Sequence, residues 1–434
     1  MKKEKRNLIA SALLPGLGQL LSKHYIKAIT FMMIHVLFGV ILLSGLSSGV
    51  MYKFITLGEK PEVRTLFKTT PGDNSLDYIV NGSLFLIILS MFIVFYIFNM
   101  KDSIRLGKFL DDGNSLPSGK EYYEFAADEA FVPVFLTPGA LGIVFIVFFP
   151  MLLTILIAFT NYSGPDHLPP KNLFDWVGFR NFENILKQKE LRYTFFHVAG
   201  WTLVWAILTT VFNFAAGLLL ALLTNSKRIK FKGLWRGIFI LPYAIPSFVS
   251  LLVFRLIFNG MGPINVFLHS NIPFLTDATY ARTVAILVNT WVGAPYFMVL
   301  IAGALTNISS SLYEASDIDG ANKWQQFKNI TFPMLWLQLG STMILTFAFN
   351  FNNFGAIYLL TNGNPADGKL RYAGQTDILV SWIYKLTIDN SLYSLAATIT
   401  IFIFLFVATI SLLTFARSKT FNQEAVVWWK KIIL

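Results

Sequence analysis

The stretch Glu314-Ala315-Ser316-Asp317-Ile318-Asp319-Gly320, followed by Ile330 and Pro333, decides how this chain is read. It is polar and helix-forming, yet it lies between two long apolar segments near 283–305 and 336–361. A chain in a bilayer has little reason to place a helix–Gly–helix element between two crossings unless something outside the bilayer must grip it. Gly320 lacks a Cβ and can take the left-handed conformation that turns one helix into the next. Trp324, Phe327 and Ile330 repeat at helical spacing and offer an apolar face, and Glu314 can accept hydrogen bonds from a partner. Pro333 suits the first turn of the helix that follows. The competing reading is an ordinary interhelical loop with a glycine cap. Length, sidedness and several fixed offsets together favour docking.

Composition places the chain in a bilayer. Hydrophobic residues make up 55% and charged residues 14%, against about 25% charge in soluble domains, and the mean hydropathy is +0.58. The 42 Phe residues suit lipid-facing helices. With no Cys, disulfides, thiol catalysis and Cys-ligated metals are excluded. A net charge of +11 could suit nucleic acid. The cations instead cluster beside apolar spans, which the positive-inside rule explains better.

Uncharged stretches long enough to cross the hydrocarbon, about 20 residues, recur near 28–52, 78–100, 132–160, 193–223, 235–258, 283–305, 336–361 and 393–416. None alternates with period two, so they read as helices and not barrel strands. The expected fold is an all-α membrane protein of about eight transmembrane helices. Lys2, Lys3, Lys5 and Arg6, then Lys227, Arg228, Lys230, Lys232 and Arg236, then Arg417, Lys419, Lys430 and Lys431 all fall on one side of it. That side is the cytoplasm, with both termini inside and 306–335 exposed there. One loop resists. Residues 161–192 carry Lys171, Arg180, Lys187, Lys189 and Arg192, yet the count places them outside.

The start, 8–21, is apolar but short and broken by Pro15, Gly16 and Gly18. It reads as an interfacial or re-entrant helix and not a span or a cleaved signal. Acidic residues 101–130 read as a cytoplasmic linker. The organisation expected is therefore 1–125 as an N-terminal helix pair with its linker, and 126–434 as a six-helix core.

Three core spans carry polar and aromatic groups at mid-membrane depth. Thr346, Phe349, Asn350 and Asn353 stand at i, i+3, i+4 and i+7, one helix face. Asn289, Val292, Gly293 and Tyr296 repeat that spacing. Tyr243 and Ser247 are four apart, with Pro242 and Pro246 expected to bend their helix. An Asn amide both donates and accepts, and an aromatic ring covers the apolar face of a pyranose. Gly293 is expected to leave room for a ligand. Small and polar residues in membrane helices often only hold helices together. Three spans with matched faces favour a sugar site.

The 314–333 pattern resembles the EAA coupling loop of ABC importer permeases. The region from about 126 onward resembles the MalF-type permeases of maltose/maltodextrin importers. The strings Leu241-Pro-Tyr-Ala-Ile-Pro-Ser-Phe, Ala281-Arg-Thr, Asn289-Thr-Trp, Tyr313-Glu-Ala-Ser, Phe347-Ala-Phe-Asn-Phe-Asn-Asn-Phe and Leu360-Thr-Asn-Gly carry that resemblance. It implies a type I importer core with the sugar held by Tyr243, Ser247, Asn289, Val292, Gly293, Tyr296, Thr346, Phe349, Asn350 and Asn353. It implies coupling to an ATPase through Glu314, Ala315, Ser316, Asp319, Gly320, Ile330 and Pro333. It also implies partners: a second permease, an ATP-binding cassette ATPase dimer and an extracellular solute-binding lipoprotein. ATP would be bound by the ATPase, so no cofactor or metal is expected in this chain. Ser316 replaces the third motif residue and Phe332 the usual Leu. Thr346 and Val292 stand where the enterobacterial member has Ser and Leu. That member has a large folded insertion where this chain has 161–192. The shorter form resembles Gram-positive members, which places the protein in the plasma membrane.

Other readings are weaker. The preferred sugar could be a galacto-oligosaccharide or another glucoside. An ion-coupled transporter would place ionisable residues in mid-membrane, and the core spans carry almost none beyond Arg255 and His197 near their ends. No paired carboxylates, His cluster or Walker lysine motif supports an enzyme.

Overall fold

The computed structural model describes residues 2–64, 69–70, 72–168, 172–226 and 228–417. Lys171, Lys227, Lys419, Lys430 and Lys431, which enter the charge argument, lie outside them. The chain divides into two compact units, Met1–Asn181 and Phe182–Leu434.

In the first unit, α1 (Lys3–Leu13) and α2 (Leu17–Leu21) precede α3 (Tyr25–Ser47), α4 (Val50–Thr56), a two-residue antiparallel ladder of β1 (Val63–Arg64) and β2 (Thr69–Thr70), and α5 (Ser75–Asp111). A further apolar helix follows as α6 (Lys120–Gly142), a π-helical stretch Ile143–Phe148 and α7 (Phe149–Ala158). The start is thus a helix–turn–helix, and buried polar bonds fix it to α5. Ser11 Oγ meets Ser103 Oγ at 2.9 Å, and the Gly16 N–H donates to Asn99 Oδ1 at 3.0 Å. Lys27 pairs with both Asp102 (2.8 Å) and Glu129 (2.7 Å). The expected linker over 101–130 shrinks to 112–119, because α5 and α6 run helically into it.

The second unit holds α8 (Arg180–Lys187, which starts just before it), α9 (Lys189–Asn225), α10 (Lys232–Ala244), α11 (Ser247–Ile257), α12 (Pro263–Phe267), α13 (Ala278–Thr306), α14 (Ser310–Ile318), α15 (Lys323–Gln326), the π-helical turn Phe327–Thr331, α16 (Phe332–Phe351), α17 (Phe354–Leu360), α18 (Leu379–Tyr384), the π-helical turn Lys385–Asp389 and α19 (Tyr393–Arg417). Its core is built on α9 and α13. Trp201, Trp205, Val284, Val288 and Ile357 are buried together in one cluster, and Phe214, Phe297 and Ile301 in another. Lipid offers no hydrophobic drive between helices, so close approach through small residues matters. A Cβ on Gly217 would lie 2.8 Å from the Ala294 carbonyl oxygen, so glycine there sets how near α9 comes to α13.

Among the described residues the regular structure is all helical apart from that ladder and isolated bridges. Among the described residues six helices are long and apolar enough to cross a membrane, and the pair α10 and α11, bent by 86°, makes a seventh if it counts as one broken span. The eighth expected stretch is helical as α19, with a described apolar part, Tyr393–Thr409, shorter than a full crossing. The bend expected from the prolines of 235–258 is present, and the continuous 336–361 span is corrected. The 235–258 span is broken at Ile245–Pro246, whose Ile245 is pushed into extended backbone by the following proline; Pro242 sits inside α10. The 336–361 span ends at Phe351 and restarts at Phe354.

Candidate functional site

All ten residues expected to hold a ligand line one cavity of about 740 Å³ between α10–α11, α13 and α16–α17. The broken helices make it. At Pro246 the chain turns away and leaves Tyr243 and Ser247 on its rim, both exposed. Tyr243 stacks on Tyr296, with ring centroids 6.0 Å apart and planes at 27°. Neither phenol hydroxyl, nor that of Ser247, has a hydrogen-bond partner among the described residues. Phe349 is 68% exposed and presents its ring to the cavity. Thr346 donates to the Thr342 carbonyl at 2.9 Å, which leaves its oxygen free to accept. No lining side chain is charged.

The amides form a chain. Asn353 Nδ2 donates to Asn289 Oδ1 (3.2 Å), Asn289 Nδ2 to Asn350 Oδ1 (3.4 Å), and Asn350 Nδ2 to Thr210 Oγ1 (3.0 Å). The Asn350 carbonyl accepts from Trp205 Nε1 at 2.9 Å. Asn350 is therefore a buried strut between α16 and α9 as much as a lining residue. Asn353 is not on one continuous helix face with Thr346, as its i+7 spacing suggested. It caps α17, accepting from the Ala356 N–H at 3.2 Å, and reaches Asn289 from there.

Gly293 is a second correction. Its missing side chain does not leave open room. A Cβ there would collide with the carboxamide of Asn213, which fills that space from α9. Asn213 lines the cavity, is 4% exposed, and its Oδ1 is buried without a hydrogen-bond partner among the described residues. Sequence reasoning missed it. The available signal was a lone amide between Phe212 and Phe214 in an apolar span.

The polar loop is a helix–turn–helix of α14 and α15, as expected. Gly320 has φ +78°, a conformation L side chains rarely hold. Asn322 and Gln325 close a capping box on α15. Glu314, Ala315, Asp319, Gly320 and Pro333 are exposed, and Ile318 and Trp324 are 87% and 68% exposed. Pro333 lies in the first turn of α16. Trp324 stacks on Phe327, which leads to Phe332 and Trp336, so the Phe332 departure extends an aromatic ladder. Ile330, half-buried, sits with Phe327 in a π-helical turn wider than the spacing implied.

What sequence missed here is the brace. Buried Gln326 donates to Ser316 Oγ (2.8 Å) and Asp317 Oδ1 (2.6 Å), and Tyr313 meets Thr331 at 2.9 Å. Ser316 thus ties α14 to α15. Hydrogen bonds from Lys323 and then Gln326 hold the Asp317 carboxyl below the usual range. A lowered folded-state value means that this stabilisation is full above the ordinary carboxylate pKa and fades only as pH falls through the lowered one. The brace is therefore expected to be insensitive to pH across neutrality. Gln326→Leu is expected to loosen the loop and speed limited proteolysis within it severalfold; an unchanged cleavage rate would show that the brace is dispensable.

This fold and site define a class of helical membrane protein with a polar, aromatic-lined cavity among its spans and an exposed helix–turn–helix between two of them. The family of binding-protein-dependent transport system inner membrane components matches residues 213–420. The galactooligosaccharides transport system permease protein GanP of Bacillus subtilis is 38% identical over 95% of this chain and 98% of its own length. The maltodextrin transport system permease protein MdxF of the same organism is 38% identical over 98% and 99%. A solved bacterial ABC transporter involved in importing the acidic polysaccharide alginate shares the fold, with TM-score 0.55 at 21% identity over 68% of this chain and 96% of that one. The chain belongs to the binding-protein-dependent transport permeases, and the resemblance to the MalF type is borne out.

Proposed function

We propose that this chain is the membrane-spanning permease subunit of an ABC importer for maltose and maltodextrins. Both termini and the α14–α15 loop face the cytoplasm of a plasma membrane. In this reading a solute-binding lipoprotein delivers the sugar outside, a second permease completes the pathway, and an ATPase dimer binds ATP and grips Glu314, Ala315, Ser316, Asp319, Gly320, Ile330 and Pro333. The chain itself catalyses no reaction and holds no metal. Residues 1–125 form an N-terminal addition to a permease core over 126–434.

One observation carries the substrate class. The cavity combines stacked tyrosines, the free Phe349 ring and a row of amides, with no charge in its lining. Aromatic faces suit the apolar faces of pyranose rings, and amides and hydroxyls suit their hydroxyl groups. A neutral oligosaccharide fits that lining; a coupling ion would find no ionisable partner there. ATPase closure biases a bistable bundle through the loop and changes which side the cavity opens to.

A galacto-oligosaccharide is the second reading, favoured by the equal 38% identity to GanP. Labelled maltodextrins of graded length, competed by galacto-oligosaccharides on the reconstituted complex, separate the two. Failure of both sugars to bind would end the carbohydrate reading.

Asn213 belongs to this site. Replacing a buried, unpaired amide by an apolar group of similar shape is near neutral for stability. Asn213→Leu is therefore expected to assemble normally while the half-saturating sugar concentration rises about tenfold, ~1.4 kcal/mol. Unchanged uptake kinetics would make Asn213 mere packing.

A further inference from the structure

Two of the five cations of 161–192 that break the positive-inside rule, Lys189 and Arg192, line a groove in the structure. Lys189 and Arg192, on the first turn of α9, join Lys369 and Arg371 from the 361–378 loop around one groove of about 1230 Å³. Tyr193, Phe196 and His197 line it too, and Glu190 is its single acid. Glu190 lies 3.7 Å from Arg371. Lys189, Arg192 and Lys369 have no ion-pair partner among the described residues, and all three are exposed. Residues about 180 positions apart thus converge into one basic, aromatic-edged recess.

The recess is preformed. The 361–378 loop is fixed to α9 and α18 by the Arg371 N–H on Thr194 Oγ1 (2.9 Å), Trp201 Nε1 on the Thr376 carbonyl (3.1 Å) and Trp382 Nε1 on the Arg371 carbonyl (3.1 Å). Within the loop, buried Asp377 accepts from Lys385 Nζ (2.6 Å), Ser381 Oγ and the Gly374 N–H.

Its position gives its side. The C-terminal end of α9, through Leu222 and Asn225, adjoins Tyr313 and Trp324 of the coupling loop. The groove sits at the opposite end of the same 37-residue helix, about 55 Å away at 1.5 Å per residue. If the loop meets the ATPase, the groove faces the receptor.

We infer that this groove is the seat for an acidic face of the extracellular solute-binding protein. The inference rests on the orientation proposed above. Cations outside oppose the topology signal, so their gathering at one recess points to a partner that uses them. Complementary charge of this kind acts mainly on encounter rate and is screened by salt.

The test uses the complete complex in nanodiscs, with its cognate solute-binding protein titrated at low and at physiological salt. The triple variant Lys189→Glu/Arg192→Glu/Lys369→Glu is compared with Lys369→Gln alone. These changes remove cations from the outer side, so they work with the insertion signal. The receptor concentration for half-maximal ATPase stimulation is expected to rise about tenfold or more in the triple variant and severalfold in the single one, with the salt dependence flattened. Unchanged receptor affinity in both overturns the inference. So does an effect that follows the anionic lipid content of the disc and not the receptor, or loss of the second permease from the complex. Wild-type complex that binds no receptor at any salt overturns the importer reading as well.

Discussion

Gly320→Pro is expected to reduce sugar uptake to background while the chain still inserts in the membrane. Gly320 turns α14 into α15 at φ +78°, and proline locks φ near −65°, so the turn cannot form. The substitution also removes the N–H that bonds the Asp317 carbonyl at 3.2 Å. Nothing lies within 4 Å of a Cβ built at Gly320, so Gly320→Ala meets only backbone strain, ~1–2 kcal/mol, and should keep partial transport. Glu314→Lys probes the same loop by charge. Glu314 is exposed and has no partner among the described residues, so its reversal leaves the fold alone and reads docking. Uptake assays with ATPase co-purification check all three. A Gly320→Pro chain that transports normally would remove the loop from the mechanism.

Phe349→Ala is expected to raise the half-saturating sugar concentration about tenfold, the loss of one aromatic face being worth ~1.4 kcal/mol. Phe349 is the cleanest probe in the cavity because its ring is largely free, whereas truncating Asn350 would break the bonds to Asn289 and Thr210 that join α16 to α13 and α9. Asn350→Ala should therefore lower both stability and uptake, and Phe349→Ala uptake alone. The measurement is uptake against sugar concentration, beside thermal stability of the purified complex. Equal kinetics for Phe349→Ala and the wild type would take the sugar out of this cavity.

Much of this architecture is legible along the chain. Hydropathy placed helix in each of the eight expected stretches, six of the helices being long and apolar enough to cross among the described residues, because a bilayer demands about 20 uncharged residues per crossing. Turn chemistry located the helix–turn–helix of α14 and α15, because a positive φ at Gly320 and a proline in a first turn are decided within a few residues. Helical period picked out ten residues that do line one cavity.

Periodicity failed where contact with another helix overrides it. Asn353 left the face predicted for it because the helix stops at Phe351 and the residue is needed as a cap. Gly293 proved to be a socket for Asn213 and not open space, and Gln326 proved to be a brace. The basic groove is invisible in sequence, since Arg192 and Arg371 look like unrelated loop charges until packing brings them together. Hydropathy, period and turn preference act over a few residues and are written in the chain itself. Which amide is satisfied, which glycine is filled and which cations share a recess depend on what a distant helix delivers, and only the packed structure decides that.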